Sequence, residues 1–153
     1  MLFLLCLMSG AFLSGQSVPS VDRYQLFELL HKQTDTVYVV NFWATWCAPC
    51  VKEIGYFEEL SEAHADRPLQ VILVNLDFPN QVERRVIPFL REREIGSRVV
   101  NMTDLDYNAW IYRVDPSWSG AIPATLIYQG NNRTFIGGEV TREELYASVQ
   151  KYL

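Results

Sequence analysis

Residues Val39–Glu53 read VVNFWATWCAPCVKE, and the pattern of the sequence changes in the middle of this stretch. The run Val37–Ala44 is β-branched and aromatic, which predicts a central strand buried on both faces. From about Cys47 to Ala65 the apolar residues recur at helical spacing, so a helix follows at once. The sequence therefore places Cys47 and Cys50 where a buried strand gives way to a helix.

Two cysteines three residues apart at the start of a helix can close a small disulfide ring. We expect Cys47 to face solvent and Cys50 to be shielded one turn further in, which makes Cys47 the nucleophile and Cys50 the resolving thiol. Unpaired N–H groups at a helix N-terminus stabilise a thiolate and can lower a thiol pKa from about 8.5 to between roughly 3.5 and 7.5. The pattern favours thiol-disulfide exchange.

Two other interpretations of the cysteine pair are open. The cysteines could be inert, buried apolar residues. They could also form half of a zinc site, but tetrahedral zinc usually takes four ligands and only His31 and His64 remain to complete the set. Both histidines lie on predicted amphipathic helices, where packing or surface roles are expected.

Outside this stretch, helical and strand patterns alternate. Predicted helices run from Ser20, as the cap, to about Lys32, from Gln81 to Glu94, from Asp104 to Val114 and from Thr141 to Tyr152, the last with Thr141 and Glu144 in capping-box spacing. Predicted strands are Gln70–Asp77, Ser97–Met102, Ala124–Gln129 and Arg133–Gly137, the last two joined as a hairpin across residues 130–132. The order predicts an α/β fold with helices on both faces of a mixed sheet.

Size and charge narrow the function classes. The chain has 153 residues, with 13 Lys and Arg against 18 Asp and Glu, which gives a formal net charge of −5. This length suits a single domain that buries a core without a metal or disulfide scaffold. Nucleic acid is held mainly by clustered Lys and Arg, and no such cluster occurs in the sequence, so we expect no nucleic-acid partner.

The N-terminal segment differs from the rest because residues 1–21 carry no charge. We interpret residues 1–17 as a signal peptide and 18–153 as the domain, although the segment lacks a basic n-region. About a dozen apolar residues precede Ser14, whereas a bilayer span needs about 20, so a permanent membrane anchor or a first helix of the fold is the weaker interpretation. We therefore predict an exported protein, periplasmic or otherwise extracytoplasmic. Cys6 would leave with the signal.

Together with Gly120–Tyr128 (GAIPATLIY), the stretch Val39–Glu53 resembles the thioredoxin superfamily, and more narrowly the TlpA/ResA-like group of exported bacterial thiol-disulfide oxidoreductases. The resemblance covers about residues 22–153. It implies a thioredoxin-like three-layer α/β/α sandwich with a central mixed β-sheet. It also implies a cis peptide bond before Pro123, which would face the disulfide and expose the backbone of Ile122 to substrate.

The resemblance also assigns roles around the cysteines. We expect substrate to contact Trp46, Ala48, Pro49 and Ile122. Trp46 would also shield the site together with Trp43. Trp118 would either line the substrate groove or pack in the core.

Three polar or small positions refine this comparison. Asn41 stands where thioredoxins proper carry a buried aspartate. Glu53 matches an acidic residue that the TlpA/ResA-like group keeps near its thiols, where it should raise the thiol pKa and accept the proton of the resolving thiol; a solvated helix glutamate is the alternative. Gly55 replaces a helix-kinking proline, which leaves the bend of this helix open.

We predict a dithiol reductant of disulfides in exported proteins. The side chains of Ala48 and Pro49 contain no hydrogen-bond donor that would stabilise a thiolate. A carboxylate at Glu53 would destabilise the thiolate as well, and both effects favour a reductant. The expected partners are a disulfide-containing exported protein and a membrane-bound dithiol donor, with a monomeric chain and no cofactor or metal. Alternatives are an oxidant or isomerase on the same scaffold, or a non-catalytic binding module. A peroxiredoxin would carry Thr and Pro at the positions of Ala44 and Val40, so we do not expect a peroxidase.

Overall fold

The computed structural model describes residues 17–153, and in them one mixed sheet organises the chain. Its strands stand in the order β1-β4-β3-β2-β5-β6. The pairs β1–β4, β4–β3 and β3–β2 are parallel, whereas β2–β5 and β5–β6 are antiparallel. The strands are β1 (Ser20–Val21), β2 (Val37–Trp43), β3 (Leu69–Asn75), β4 (Arg98–Met102), β5 (Ala124–Gln129) and β6 (Asn132–Gly137).

Helices cover both faces of the sheet. They are α1 (Arg23–Leu30), α2 (Ala48–Ala63), α3 (Ile87–Glu92), α4 (Ile111–Val114) and α5 (Arg142–Gln150). Apolar residues of α2, α3 and α5 form one buried cluster, and those of α1 and α4 form the other, on the opposite face. The predicted three-layer thioredoxin-like sandwich is confirmed. Within residues 17–153 no helix combines the length and apolar character that crossing a bilayer requires.

Strand β2 supplies both clusters, as predicted. Val37, Val39 and Trp43 belong to the cluster under α2, whereas Tyr38, Val40 and Phe42 belong to the cluster under α1. All seven residues of β2 are buried, and alternation along the strand places Asn41 on the α2 face. The polar side chain of Asn41 therefore points toward the helix that carries the cysteines.

The start of the described chain differs from the prediction. Ser20 does not cap a helix; it lies in β1 and pairs with Asn101. Asp22 is the cap, because its side chain accepts the backbone N–H of Gln25 at 2.8 Å while Gln25 accepts that of Asp22 at 3.0 Å. The predicted signal peptide falls on residues 1–17, of which 1–16, including Cys6, lie outside the described residues.

The later helices are shorter than predicted. The segment predicted as one helix from Gln81 to Glu94 is a π-helical turn, Val82–Val86, that runs into α3, with Pro88 in the first turn of α3. The segment from Asp104 contains only a 3₁₀ turn, Tyr107–Ala109, before α4.

The C-terminal elements are close to the prediction. The hairpin turn contains only Gly130 and Asn131, because β6 begins at Asn132. Gly130 has a φ of +56°, a conformation that glycine adopts without steric cost. The predicted capping box of Thr141 and Glu144 is present at the start of α5.

Candidate active site

A disulfide joins Cys47 and Cys50 at the junction between β2 and α2, with their Cα atoms 5.3 Å apart. Cys47 is the N-cap of α2 and has extended backbone angles, with its N–H donating to the Ala44 carbonyl at 3.2 Å. Pro49 lies in the first turn, where a missing backbone N–H costs no helical hydrogen bond. The prediction that Cys47 and Cys50 lie between a buried strand and a helix, close enough to form a disulfide, is confirmed.

Both sulfurs are largely withdrawn from solvent. Cys47 is 6% exposed and Cys50 is fully buried. The expectation that Cys47 faces solvent is therefore wrong for the disulfide form, although Cys47 is the more accessible of the two. Its Sγ lies 3.7 Å from the carbonyl oxygen of Ile122, because the segment before β5 closes over the sulfur.

That covering segment contains the predicted cis bond, which lies between Ile122 and Pro123. The segment is held on both sides. Trp118 donates its indole N–H to the Ala121 carbonyl at 2.8 Å, and the Gly138 N–H donates to the Pro123 carbonyl at 3.0 Å. The cis bond is confirmed, and the Ile122 carbonyl on its N-terminal side lies against Cys47 Sγ, whereas the role of Pro123 itself stays a prediction.

The tryptophans have different roles. Trp46 is 62% exposed beside the disulfide, whereas Trp43 is fully buried and packs against Phe89, with ring centroids 5.2 Å apart. Trp43 belongs to the same buried apolar cluster as Cys47 and Cys50, so its predicted shielding would act from the core side of the cysteines and stays a prediction. Trp118 packs against Phe42 at a centroid distance of 4.6 Å, which identifies its packing role.

Glu53 is fully buried one turn after Cys50, on the same face of α2. Its Oε1 accepts from the Asn41 side-chain amide at 3.0 Å, and its Oε2 accepts from the Val140 N–H at 2.7 Å. Burial disfavours the charged carboxylate and raises the pKa of Glu53 from 4.5 to about 7, although both hydrogen bonds act in the opposite direction. The alternative of a solvated helix glutamate is wrong.

Asn41 connects this carboxyl group to β5. Besides donating to Glu53, its amide nitrogen lies 3.2 Å from Thr125 Oγ1 and 3.4 Å from the Ala124 carbonyl oxygen. Its own Oδ1 is buried and has no hydrogen-bond partner among the described residues. The alternation of β2 and the helical spacing from Cys50 could have predicted the contact between Asn41 and Glu53. The helix itself continues through Gly55, which is exposed.

A groove opens beside Trp46 and Ile122, the first of which precedes Cys47 in the chain while the second contacts its sulfur. It has a volume of about 430 Å³, and its lining residues are Trp46, Leu76, Tyr107, Asn108, Ile111, Ser119, Gly120 and Ile122. Of the four residues predicted to contact substrate, Trp46, Ala48 and Pro49 are exposed and Ile122 is half-buried. The groove brings Trp46 and Ile122 together, whereas Ala48 and Pro49 do not line it.

A buried polar group in front of the cysteines was not predicted from the sequence. Asp77, just beyond β3, is 1% exposed and accepts both the N–H and the hydroxyl of Thr45. The two residues are 32 positions apart, so only the strand order brings them together. A polar residue at the end of a buried strand was the available signal.

The two histidines contact the backbone of their own helices. The Nδ1 atoms of His31 and His64 each lie 2.9 Å from a carbonyl oxygen of the preceding helical turn. Between Ser17 and Leu153, the structure contains no group of three His, Cys, Asp or Glu side chains that could hold a metal ion.

Sequence comparisons place the chain among thiol-disulfide oxidoreductases. The redoxin family model matches residues 14–104, which include both cysteines of the disulfide. Thiol-disulfide oxidoreductase ResA of Geobacillus thermodenitrificans is 30% identical over 137 residues, covering 86% of this chain and 73% of the relative. ResA of Bacillus cereus is 28% identical over 119 residues, covering 73% and 61%. Sporulation thiol-disulfide oxidoreductase A of Bacillus subtilis is 24% identical over 97 residues, covering 60% and 59%.

Solved structures share the fold. The crystal structure of StoA from Bacillus subtilis superimposes with a TM-score of 0.59 at 21% identity, covering 76% of this chain and 84% of that chain. A thioredoxin-related protein from Neisseria meningitidis serogroup B gives a TM-score of 0.64 at 24% identity, covering 79% and 86%. At these identities the likeness concerns the architecture.

Proposed function

The chain belongs to the redoxin family, as a thiol-disulfide oxidoreductase of the TlpA/ResA-like group, and we propose that it acts as a dithiol reductant of disulfides in exported proteins. In this proposal Cys47 is the nucleophile and Cys50 is the resolving thiol. The observation that carries the direction is the buried Glu53 carboxyl group beneath the cysteines.

A protein is a stronger reductant when its dithiol form is less stable relative to its own disulfide form. The surroundings of Cys47 do little to stabilise the dithiol. The side chains of Ala48 and Pro49 contain no hydrogen-bond donor, so only the N-terminus of α2 favours a thiolate at Cys47. Once ionised, Glu53 places a buried negative charge one helical turn after Cys50, where it disfavours a thiolate in the same site. A less stable thiolate makes the reduced form a stronger electron donor.

The reaction proceeds through two exchanges. The Cys47 thiolate attacks one sulfur of the substrate disulfide, a mixed disulfide forms, and the other substrate sulfur leaves as a thiolate that takes up a proton. Cys50 then loses its proton and attacks Cys47 Sγ, which releases the second substrate thiolate. The substrate disulfide is reduced to a dithiol, and the protein ends in the Cys47–Cys50 disulfide form that the structure contains.

Glu53 is the proposed acceptor of the Cys50 proton. Its pKa of about 7 allows the carboxyl group to accept and release a proton near neutral pH, which is what a general base for the resolving step requires. The neighbouring cation, Lys52, is exposed and forms an ion pair with Glu139. Burial, and not a nearby cation, therefore governs the proton affinity of Glu53.

Substrate would bind along the groove between Trp46 and Ile122. The carbonyl oxygen of Ile122 lies 3.7 Å from Cys47 Sγ, so the backbone at the edge of the groove is next to the reactive sulfur. We propose a disulfide-containing exported protein as the substrate and a membrane-bound dithiol donor as the source of new electrons. The uncharged residues 1–21 support export, and we propose a monomer that binds neither nucleic acid nor metal.

The reduction potential of the Cys47–Cys50 couple tests the direction of electron flow. Equilibration of the full chain with glutathione or thioredoxin redox buffers should give a value nearer to about −270 mV than to about −120 mV. A value near the upper end would make the protein an oxidant.

Trapping tests the order of the two thiols. In a Cys50→Ser variant, Cys47 should remain joined to the substrate as a stable mixed disulfide, because the resolving thiol is missing. The Cys47→Ser variant is the matched control and should trap little. Trapping through Cys50 in that control would reverse the assignment.

A further inference from the structure

A buried carboxylate in front of the active-site loop takes no part in the exchange described above. Asp77 Oδ2 accepts from the Thr45 N–H at 2.8 Å and from the Asn75 side-chain amide at 2.7 Å, and Oδ1 accepts the Thr45 hydroxyl. Burying a carboxylate is costly unless donors or a cation compensate for the lost water. Within residues 17–153 no ion pair includes Asp77, so these three donors stabilise its charge.

The donors are anchored in the rigid part of the sheet. Asn75, the last residue of β3, stands opposite Asn101 of β4. Asn101 donates its amide to Asn75 Oδ1 at 3.0 Å and to the Asp77 carbonyl at 2.9 Å, and the Asp77 N–H donates to Asn75 Oδ1 at 3.1 Å. Two parallel strands therefore fix the position of the Asp77 carboxylate.

Thr45 links this anchor to the reactive cysteine. It stands two residues before Cys47, between the end of β2 and the N-cap of α2, and both its N–H and its hydroxyl are bound to Asp77. The loop from Ala44 to Trp46 is therefore tied to the end of β3. Trp46 and Asp77 line the same cleft of about 280 Å³, so the carboxylate lies along the edge of the sheet that carries the disulfide.

We propose that Asp77 is a positioning residue for the exchange reaction: its carboxylate holds the loop in front of Cys47, and its negative charge disfavours the Cys47 thiolate and so strengthens the dithiol as a reductant. The inference rests on the proposed function in taking Cys47 as the reactive thiol. A buried charge is screened far less than an exposed one, and Asp77 is bound to Thr45, two residues before Cys47, so its charge acts on the Cys47 thiol.

Further charges around Cys47 come from α2 and from the π-helical turn. Glu53 on α2 has the same sign as Asp77 and acts in the same direction. Lys52 is directed to its ion pair with Glu139. Arg85, in the π-helical turn, lines the cleft that contains Asp77 and opposes its effect in part.

The variant Asp77→Asn removes the charge but can keep the hydrogen bonds. Its amide oxygen, placed where Oδ2 lies, still accepts from Thr45 and Asn75, and its amide nitrogen can donate to the Thr45 hydroxyl. In reduced full-length chain with Cys50→Ser, the pH at which Cys47 is half-alkylated by iodoacetamide should fall by about half a unit or more. With Cys50 present, the glutathione equilibrium should shift toward the dithiol by up to about threefold, which is half a pKa unit.

Asp66→Asn is the matched control. Asp66 is exposed beyond the C-terminal end of the 16-residue α2, about 24 Å from the end that holds Cys47. The control should leave the Cys47 titration unchanged. An unchanged titration in Asp77→Asn as well would overturn the inference.

Thr45→Val separates charge from loop position, because it keeps the Asp77 charge and loses one link. In this variant the pH at which Cys47 is half-alkylated should not fall, but the thiolate should react with a protein disulfide at least threefold more slowly. A fall in the pH of half-alkylation like that expected for Asp77→Asn, or a reaction with the protein disulfide at the wild-type rate, would contradict the proposal. This holds even if Asp77→Asn does not fold. Titration of Cys47 involves no physiological substrate, so an oxidising potential would refute the proposed direction of electron flow without affecting this result.

Discussion

Replacing Glu53 by Gln should remove a pH dependence of the stability of the disulfide form. Glu53 has a folded-state pKa of about 7 against an ordinary value of 4.5. Between these values the unfolded chain has released the proton and the folded chain still holds it, so stability falls as pH rises from about 4.5 to about 7. A difference of about 2.5 units at 1.36 kcal/mol each amounts to about 3 kcal/mol.

The variant side chain can keep the surroundings of Glu53 intact. With its amide oxygen toward Val140 it still accepts that N–H, and its amide nitrogen then faces Asn41. A half-turn of the Asn41 amide would present Oδ1, which has no partner among the described residues, as the acceptor. The protonated carboxyl group of the native protein can use the same arrangement, so Glu53→Gln resembles the neutral form.

Urea unfolding of the oxidised protein at pH 5 and at pH 8 measures the effect. The native protein should lose between about 2 and 3 kcal/mol more from pH 5 to pH 8 than the Glu53→Gln variant, because part of the total effect lies below pH 5. Glu62→Gln is the control, since Glu62 is exposed on the same helix and its charge stays in water. Parallel stability profiles for native protein and Glu53→Gln would refute the conclusion that burial holds a proton on Glu53.

Three further perturbations test the core, a helix end and the groove. Leu73→Ala, in the buried centre of β3, should reduce the free energy of unfolding by about 2 to 5 kcal/mol in urea titrations, whereas Leu105→Ala, at a half-exposed position, should cost far less. Thr141→Ala removes the cap of α5 and should cost about 1 kcal/mol in the same assay; an unchanged midpoint would mean that the cap is not needed. Ile111→Ala should raise the KM for a disulfide-containing peptide and leave the reduction potential unchanged, and a shifted potential would contradict a role limited to the groove.

Local sequence was sufficient for the centre of the fold. The run from Val37 to Ala44 can only be buried on both faces, because every position is apolar or aromatic except Asn41. The helix after Cys47 follows from spacing alone. The pairing of Cys47 with Cys50 and the cis bond at Pro123 were both predicted, the second through the family resemblance.

The features that could not be predicted depend on pairing between segments that are distant in the sequence. Ser20 and Asp22 are both good caps, and Asp22 is the cap because Ser20 pairs with the edge of β4. A two-residue strand carries no alternation from which to predict it. The bond from Asp77 to Thr45 likewise depends on β2 and β3 being neighbours, which the sequence did not specify.

In this protein the buried carboxyl group near the cysteines lies on a helix and not on a strand, so a different part of the chain controls proton transfer. Where thioredoxins proper carry a buried aspartate on the strand, this protein has Asn41, and the carboxyl group reaches the same buried region from α2 through Glu53. Glu53 also accepts the N–H of Val140, the residue before the cap of α5. That hydrogen bond lowers the pKa of Glu53 against the effect of burial. A change in the chain before α5, about 90 residues after the cysteines, therefore alters the proton affinity of the site with no substitution beside the disulfide.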